Sequence, residues 1–199
     1  MTICKKNMKK ILVISAPSGG GKSVVANYIL NNFDNFSFSI SSTTRNIREG
    51  ESEGVNYYFL DKDSFTEKIN NNEFVEYEVF FGNYYGTMVS ELERIISINK
   101  IPLLDIDVKG AFSIKKYYRD DAFLLFLKPP SIDVLKERLI NRKTETSEQI
   151  EKRIARAKME IEMSKDFDCI LVNDKLDVLL EQVKELIEKK IYYSLIIKK

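Results

Sequence analysis

Residues 11–23 read Ile-Leu-Val-Ile-Ser-Ala-Pro-Ser-Gly-Gly-Gly-Lys-Ser, and they give the clearest indication of the fold class. Its first four residues form an apolar run rich in β-branched side chains, which is typical of a buried strand. A glycine-rich turn follows, and from Ser23 to Phe33 apolar residues recur four positions apart, which predicts a helix. A strand, a glycine loop and a helix in this order are the opening of a parallel α/β unit.

Residues 16–23 nearly match the phosphate-binding pattern Gly-x-x-x-x-Gly-Lys-Ser/Thr. In such a loop, glycines let successive backbone N–H groups surround phosphate oxygens, and the following helix points its positive end at the same anion. Lys22 would then reach the terminal phosphates of a nucleotide, and the Ser23 hydroxyl would bind Mg²⁺. Ala16 replaces the first glycine, which is a mild change if φ stays negative there. A glycine-rich hairpin is the alternative, but the flanking strand and helix argue against it.

Composition and charge narrow the classes of function. The 199 residues include 31 Lys and Arg against 30 Asp and Glu, so the formal net charge is +1. Because sequence-independent nucleic-acid binders usually carry a basic excess, we expect no nucleic-acid partner.

The absence of histidine excludes a Ser-His-Asp triad and a His-ligated zinc site. Apolar runs are shorter than the roughly 18 residues of a membrane span, and two cysteines are too few for a disulfide framework, so we expect no membrane partner and a cytoplasmic location.

The pattern of residue types predicts a core with an inserted lobe. Residues 41–90 are rich in Ser, Thr, Asn, Tyr and Phe, with alternating stretches typical of a small β-rich unit. Apolar runs after this lobe predict buried strands at residues 101–107, 123–127 and 169–172. Further helices are expected at residues 64–70, 91–98, 131–163 and 176–187. The expected division is a core of residues 1–40, 91–130 and 164–199, a lobe of residues 41–90 and a charged helical region of residues 131–163.

Two arginines in the lobe are candidates for binding an anion. Arg45 and Arg48 lie three residues apart, directly after the hydroxyl-rich residues 41–44. Guanidinium groups suit bidentate contacts to phosphate. The same spacing is common on solvated surfaces, so the arginines alone leave both interpretations open.

Tyrosines and a glutamate in the predicted lobe are open in the same way. Tyr57 and Tyr85 fit either a ligand site or half-buried positions in a sheet. Glu76 lies between Val75 and Tyr77, and strict alternation along a strand places it on the face opposite both neighbours. On this pattern alone, a solvent-facing position for Glu76 is the simple interpretation.

Eight short motifs occur in the order found in guanylate kinases. They are Ser-Ala-Pro-Ser-Gly-Gly-Gly-Lys-Ser, Ser-Ser-Thr-Thr-Arg-x-x-Arg-x-Gly-Glu, Gly-x-x-Tyr-x-Phe, Asn-Glu-Phe-x-Glu, Gly-Asn-Tyr-Tyr-Gly-Thr, Leu-Asp-Ile-Asp, Arg-x-x-x-Arg-x-Thr-Glu-Thr and Val-Asn-Asp. The chain thus resembles that family from about Ile11 to Val183. The resemblance implies an α/β fold with a three-layer P-loop core and parallel sheet, a β-rich GMP-binding lobe and a helical lid. It also implies transfer of the γ-phosphoryl group of ATP to GMP, which gives ADP and GDP.

The resemblance assigns an acceptor site by matching positions. The implied GMP-binding residues are Ser41, Arg45, Arg48, Tyr57, Glu76, Tyr85, Thr87 and Asp107. Those implied to hold the GMP phosphate are Arg45, Arg48, Tyr57 and Tyr85, and the other four surround guanine. Guanine N1–H and N2–H₂ are adjacent donors that one carboxylate accepts together, whereas adenine has no such pair on that edge. A buried Glu76 left unpaired by the wrong base would be costly.

The resemblance also assigns the ATP site. The implied ATP-binding residues are Ala16, Pro17, Ser18, Gly19, Gly20, Gly21, Lys22, Ser23 and Asn173. The implied catalytic residues are Lys22, Arg45, Arg138, Arg142 and Arg153. The last three match arginines of a lid that closes over the ATP phosphates, although each also fits a charge on a helix surface. Mg²⁺ is the expected cofactor, bound by Ser23, with Asp105 as a candidate partner through a water molecule.

Three departures from the family pattern affect these expectations. Ala16 replaces glycine in the loop, and Lys109 stands where the family often has glutamine. Residues 141–143 read Asn-Arg-Lys instead of the usual Gly-Arg-Gly, which we expect to stiffen the lid. None of these changes removes a reacting group.

The predicted reaction suits a chain without histidine. The acceptor is a phosphate oxygen that is already anionic at neutral pH, so no strong general base is needed. Two alternatives remain, namely a catalytically inactive interaction module and a kinase of another nucleoside monophosphate. Intact Lys22 and Ser23 argue against the first. The expected partners are ATP and GMP, with dGMP as a further acceptor, and the sequence leaves open whether the protein is a monomer or a homo-oligomer.

Overall fold

The computed structural model describes residues 11–80, 82–141 and 146–192. The strands are β1 (Ile11–Ser15), β2 (Phe36–Phe38), β3 (Ser42–Thr43), β4 (Tyr58–Phe59), β5 (Phe74–Phe80), β6 (Asn83–Met88), β7 (Ile101–Asp105), β8 (Ala122–Lys128) and β9 (Cys169–Val172). The helices are α1 (Lys22–Asn32), α2 (Lys62–Asn70), α3 (Val89–Ser97), α4 (Val108–Tyr118), α5 (Ile132–Asn141), α6 (Ser147–Met163) and α7 (Leu176–Leu186). The helix α7 continues as a π-helix over Ile187–Tyr192.

The larger sheet is parallel and buried on both faces. Its strand order is β2-β7-β1-β8-β9, and every neighbouring pair runs parallel. Leu12 and Ile14 of β1 pack in a cluster with α1 and α7, whereas Ile11 and Val13 pack on the opposite face with α3 and α4. Burial on both faces explains why β1 is a continuous apolar run. The three layers confirm the predicted α/β core with a parallel sheet.

A smaller sheet forms the lobe. Its strand order is β4-β3-β6-β5, with β3 and β4 parallel and the remaining pairs antiparallel. Helix α2 closes one side, because the buried ring of Phe65 stacks on Phe74 with ring centroids 4.3 Å apart. Asp61 caps this helix by accepting a hydrogen bond from the Ser64 N–H at 2.7 Å.

The buried carboxylate of Glu91 joins the lobe to the core. It lies in the first turn of α3 and accepts hydrogen bonds from the backbone N–H of Ile40, from the hydroxyl of Tyr58 and from the guanidinium of Arg94. Burial would raise the pKa of Glu91, but these hydrogen bonds outweigh it and hold the pKa below its ordinary value. The ionised side chain therefore fixes where the lobe leaves the core.

Two elements differ from the sequence expectations. Strand β7 ends at Asp105, and Asp107 is the N-cap of α4, a helix that the sequence analysis did not predict. The aspartates were interpreted as the end of a longer strand because they directly follow its apolar run. Helical structure after residue 131 is described as α5 and α6, while residues 142–145, including the predicted lid residue Arg142, lie outside the described residues. Within the described ranges, no helix is both long and apolar enough to cross a bilayer.

Candidate active site

A cavity of about 910 Å³ lies at the carboxyl ends of β1 and β7, bordered by the smaller sheet and α6. Ligands of open α/β sheets bind at this edge of the sheet. The predicted site residues that line it are Ala16, Ser18, Lys22, Ser41, Tyr57, Glu76, Tyr85, Asp105, Asp107 and Arg153. One part of its border, here called the loop end, is the loop of residues 16–23, of which Ala16, Ser18 and Lys22 line the cavity. A second part, here called the acidic end, comprises Glu76, Glu78, Asp107 and Glu160.

The loop end is a tight turn that requires glycine. Gly20 donates its backbone N–H to the Pro17 carbonyl at 2.7 Å, and a Cβ on Gly20 would lie 2.6 Å from the Cβ of Ala16. Gly21 has φ of 92°, a value that favours glycine. Ala16 is buried and is not among the residues with positive φ, so its replacement of glycine fits the backbone as expected.

Lys22 and Ser23 begin α1 and both contact Asp105 at the end of β7. The Lys22 ammonium donates to the Ala16 carbonyl at 3.0 Å and lies 3.8 Å from Asp105 Oδ1, while the Ser23 hydroxyl donates to Asp105 Oδ2 at 3.3 Å. Burial raises the pKa of Asp105, and the Lys22 charge and the Ser23 hydrogen bond oppose the rise. A hydroxyl and a half-buried carboxylate thus lie together beside the loop.

Side chains from α5, α6 and the residue after β9 hold the loop. Asn173 is buried and donates its side-chain amide to the Gly20 carbonyl at 2.8 Å, and the Arg138 guanidinium donates to the Asn173 carbonyl at 3.0 Å. Arg153 donates to the hydroxyl of Ser18. Arg138 and Arg153 therefore both reach the loop region, from two different helices.

Predicted acceptor residues converge at the lobe side of the cavity. The Arg45 guanidinium lies over the ring of Tyr57 at 5.4 Å from its centroid, and the rings of Tyr57 and Tyr85 are 6.1 Å apart. Burial raises the pKa of Tyr57, so its hydroxyl remains a donor at neutral pH. The fork of Arg45 contacts both oxygens of Glu51, at 2.8 and 3.0 Å, and the Arg48 backbone N–H donates to the same carboxylate at 2.9 Å. Glu51 is the last residue of the second motif but was assigned no role, and it occupies the guanidinium that was predicted to bind phosphate.

The acidic end contains the carboxylate of Glu76. Thr87 Oγ1 donates to Glu76 Oε1 at 2.6 Å, and a Cβ on Gly110 would lie 2.9 Å from Glu76 Oε2 and 3.3 Å from Asp107 Oδ1. The absence of that Cβ therefore lets two carboxylates lie side by side at the start of α4. Burial is the main cause that raises the pKa of Glu76 to about 7, the Thr87 hydrogen bond opposes the rise, and the charge of Asp107 adds to it.

A β-bulge explains why Glu76 lines the cavity rather than facing solvent. The pairing of β5 with β6 passes from Phe74 opposite Met88 to Glu76 opposite Thr87, which leaves Val75 as an extra residue. Val75 packs against the core, and the Glu76 carboxylate turns into the cavity. Strict alternation does not apply across this shift.

Arg156 of α6 contacts the acidic end and was not predicted as a site residue. Its terminal nitrogen lies 2.9 Å from Asp107 Oδ2 and 3.4 Å from Glu78 Oε2, and its Nε donates to Glu160 at 2.8 Å. The guanidinium also lies over the ring of Phe80, 5.4 Å from its centroid.

Burial raises the pKa of Glu78 to about 7, Asp107 adds to the rise, and Arg156 opposes it. Two signals were present in the sequence, since Arg156 is one helical turn after Arg153 and Glu78 is two strand residues after Glu76.

Comparisons with known proteins show which family this chain resembles in sequence and fold. The family model described as guanylate kinase matches residues 8–190. The guanylate kinase of Chlorobium chlorochromatii is 46% identical over 175 residues, which cover 88% of this chain and 92% of that protein. The guanylate kinase of Porphyromonas gingivalis is 47% identical over 182 residues, which cover 90% and 97%. The crystal structure of guanylate kinase from Anaplasma phagocytophilum matches with a TM-score of 0.72 at 31% identity and covers 95% of this chain and 90% of that one.

Proposed function

Because the chain belongs to the guanylate kinase family and phosphorylates GMP to GDP with ATP, we propose how its own residues divide this reaction between the two ends of the cavity. The observation that carries the proposal is that one cavity joins a phosphate loop with Lys22 to paired carboxylates at Glu76 and Asp107. Phosphates are anions, whereas the guanine edge offers hydrogen-bond donors. The loop with Lys22 therefore suits the phosphates, and the paired carboxylates suit the guanine edge.

The loop end would bind ATP. Apart from that of Gly20, which donates to Pro17, the backbone N–H groups of residues 18–23 at the start of α1 suit the phosphates, and Lys22 would move from the Ala16 carbonyl to a phosphate oxygen. Arg138 and Arg153 already lie at the loop and would contact the same phosphates, while Asn173 would lie near the adenine. Arg142 keeps its predicted role in the lid on the strength of the resemblance alone.

Guanylate kinases generally need a divalent metal, and the residues beside the loop fit one. The Ser23 hydroxyl and the half-buried Asp105 carboxylate lie 3.3 Å apart, and a cation beside Asp105 would stabilise its ionised form against the effect of burial. Among the described residues no three Asp, Glu, His or Cys side chains are grouped so that they could hold a metal ion, so further ligands would come from ATP and water. Ser23 would bind Mg²⁺ directly and Asp105 through water. The bound ion would supply neutralisation of phosphate charge.

The lobe and the acidic end would bind GMP. We assign the GMP phosphate to Arg45, Arg48, Tyr57 and Tyr85. The carboxylate of Glu51, an anion of similar geometry, already contacts the Arg45 guanidinium. The GMP phosphate must therefore displace Glu51 or share the guanidinium with it. We assign guanine to Ser41, Glu76, Thr87 and Asp107. Because the assigned residues contact the phosphate and the base, which GMP and dGMP have in common, dGMP should also serve as an acceptor.

The chemical step needs positioning and charge stabilisation more than proton transfer. A GMP phosphate oxygen, already anionic, attacks the γ-phosphorus of ATP in line, and the bond to the departing ADP oxygen breaks. Lys22, the loop N–H groups, Arg138 and Arg153 would stabilise charge on the transferring group. Helix α6 would cover the cavity and exclude water, which limits wasteful hydrolysis of ATP.

A coupled ADP-release assay with GMP, dGMP, AMP, UMP and CMP tests these assignments. We expect GMP and dGMP to be phosphorylated far faster than the other three nucleotides, because only guanine donates from N1 and N2 to Glu76. An acceptor preference that Glu76→Ala leaves unchanged would overturn the guanine assignment. A Lys22→Ala variant that retains GMP phosphorylation within about threefold would overturn the loop assignment.

A further inference from the structure

Helix α6 presents two arginines to the same cavity. Arg153 and Arg156 are three residues apart and so lie on one face of the helix. Arg153 contacts Ser18 in the loop, whereas Arg156 contacts Asp107 at the acidic end. The resemblance to guanylate kinases assigned Arg153 to the lid but gave Arg156 no function. The question is what this second arginine does for the reaction.

The partners of Arg156 come from three separate parts of the molecule. Asp107 begins α4 in the core, Glu78 lies on β5 in the lobe, and Glu160 lies one turn further along α6. A planar guanidinium with several donors is suited to hold carboxylates from different directions at once. The side chain is about one-third exposed, with a relative exposure of 36%, so the pairs are only partly screened by solvent. Arg156 therefore links the core, the lobe and the lid helix.

Asp107 has both of its carboxylate oxygens fixed by these contacts. Oδ1 accepts the backbone N–H of Gly110 at 2.7 Å, and Oδ2 accepts from Arg156 at 2.9 Å. The hydrogen bond from Gly110 holds the carboxylate at the start of α4, beside Glu76 Oε2. The hydrogen bond from Arg156 orients it from α6. Loss of Arg156 would remove the cation that contacts Asp107, Glu78 and Glu160, and these like charges would repel one another.

The guanine edge offers more hydrogens than one carboxylate accepts. N1 carries one hydrogen and N2 carries two, so a carboxylate that takes N1–H and one N2–H leaves a third hydrogen unpaired. Two neighbouring carboxylates in fixed orientation accommodate all three. Hypoxanthine, the base of IMP, keeps N1–H but lacks the N2 amino group, and it would need only the first carboxylate.

We propose that Arg156 is a positioning residue for guanine recognition, which holds Asp107 beside Glu76 so that the second N2 hydrogen of GMP has an acceptor. This inference rests on the proposed assignment of guanine to the acidic end. It makes Arg156 a determinant of the preference for GMP over IMP. It also places recognition of the acceptor base on the same helix as the ATP-side Arg153.

The test compares Arg156→Met and Arg156→Lys with the control Lys158→Ala. Methionine retains an apolar stem over Phe80, lysine retains the charge, and Lys158 is an exposed residue of the same helix. The readouts are kcat, KM for GMP, KM for ATP and the Ki of IMP as a competitor of GMP. Arg156→Met should raise KM for GMP about tenfold, as expected for loss of a charge-assisted contact, while Ki for IMP and KM for ATP stay within about twofold. Arg156→Lys should recover part of the GMP effect, and Lys158→Ala should match the wild type.

Other outcomes overturn the proposal. Equal weakening of GMP and IMP, or an equal rise in KM for ATP, would show that Arg156 has a general structural role. An unchanged ratio of GMP to IMP affinity would show that it does not act on the N2 contact. If thermal unfolding shows that Arg156→Met is not folded, the same ratio in Arg156→Lys decides the matter. A wild-type enzyme without preference for GMP over AMP would instead contradict the underlying guanine assignment, so the two failures are distinguishable.

Discussion

The loop end and the acidic end of the cavity differ in charge and in construction. The loop end offers Lys22, Arg153 and backbone N–H groups, whereas the acidic end offers four carboxylates that meet Arg156 or Thr87. An anionic triphosphate would be repelled by the second wall, and the donor edge of guanine would find few acceptors on the first. The net charge of +1 therefore includes two opposite local charges, each suited to one part of the reacting pair.

The largest expected effect is that of Lys22→Ala, which alters the loop end alone. Lys22→Ala removes the ammonium that would stabilise the transferring phosphoryl group, and we expect kcat to fall about 10²- to 10³-fold. Because Lys22 is assigned no contact with guanine, KM for GMP should change by less than about threefold. Steady-state kinetics with both substrates varied measure this, with the exposed Lys158→Ala as control. A comparable rise in KM for GMP would show that the two ends do not act separately.

The next expected effect is the pH dependence of GMP affinity, which tests the acidic end. Since the pKa of Glu76 is raised to about 7, this carboxyl is largely protonated below that pH and ionised above it. The ionised form accepts the guanine donors, so GMP affinity should increase with pH up to about 7 and then level off, by at most about tenfold per pH unit. Calorimetric titration of GMP at a series of pH values measures this.

Glu76→Gln is the matched control for the pH experiment. The phosphate of GMP itself titrates with a second pKa near 6, and this contribution is common to both proteins. The difference between the wild-type and Glu76→Gln profiles therefore reports the carboxyl group. Identical profiles would mean that Glu76 does not titrate in the binding step.

A smaller effect is expected where the loop meets β9. Asn173→Ala removes the donor to the Gly20 carbonyl and leaves this buried acceptor unpaired. We expect KM for ATP to rise about three- to tenfold with KM for GMP unchanged, as well as a lower temperature of unfolding. The exposed neighbour Asp174→Ala should leave both constants at the wild-type value. A change in KM for GMP instead of ATP would contradict the separation of the two ends.

The loop end could be predicted from the sequence because its residues are consecutive. Strand β1, the glycine turn and α1 follow directly from an apolar run, a motif and a helical spacing within residues 11–33. Each of these signals is local, and the buried parallel sheet follows from them with few alternatives. Asn173, which lies 153 residues after Gly20, was assigned to the ATP site only through the family resemblance, and its contact with the loop was not predicted.

The acidic end could be predicted only in part because it depends on contacts between distant elements. Alternation favours a solvent-facing Glu76, and the bulge at Val75 that turns it inward leaves no signature in the residue pattern. Helix α4 was missed because its N-cap Asp107 resembles the end of a strand. Arg156 belongs to no motif, and its contact with Asp107 depends on how α6 packs over the core.

The preference for GMP over AMP in Glu76→Gln is the most direct test of the division between the two ends. The ratio of kcat/KM for GMP to that for AMP is measured by coupled ADP release in the wild type and the variant. The account predicts that the ratio falls at least about a hundredfold, because the glutamine amide no longer accepts both guanine donors and leaves the buried site mismatched. A ratio within about threefold of the wild-type value would contradict recognition of guanine at the acidic end.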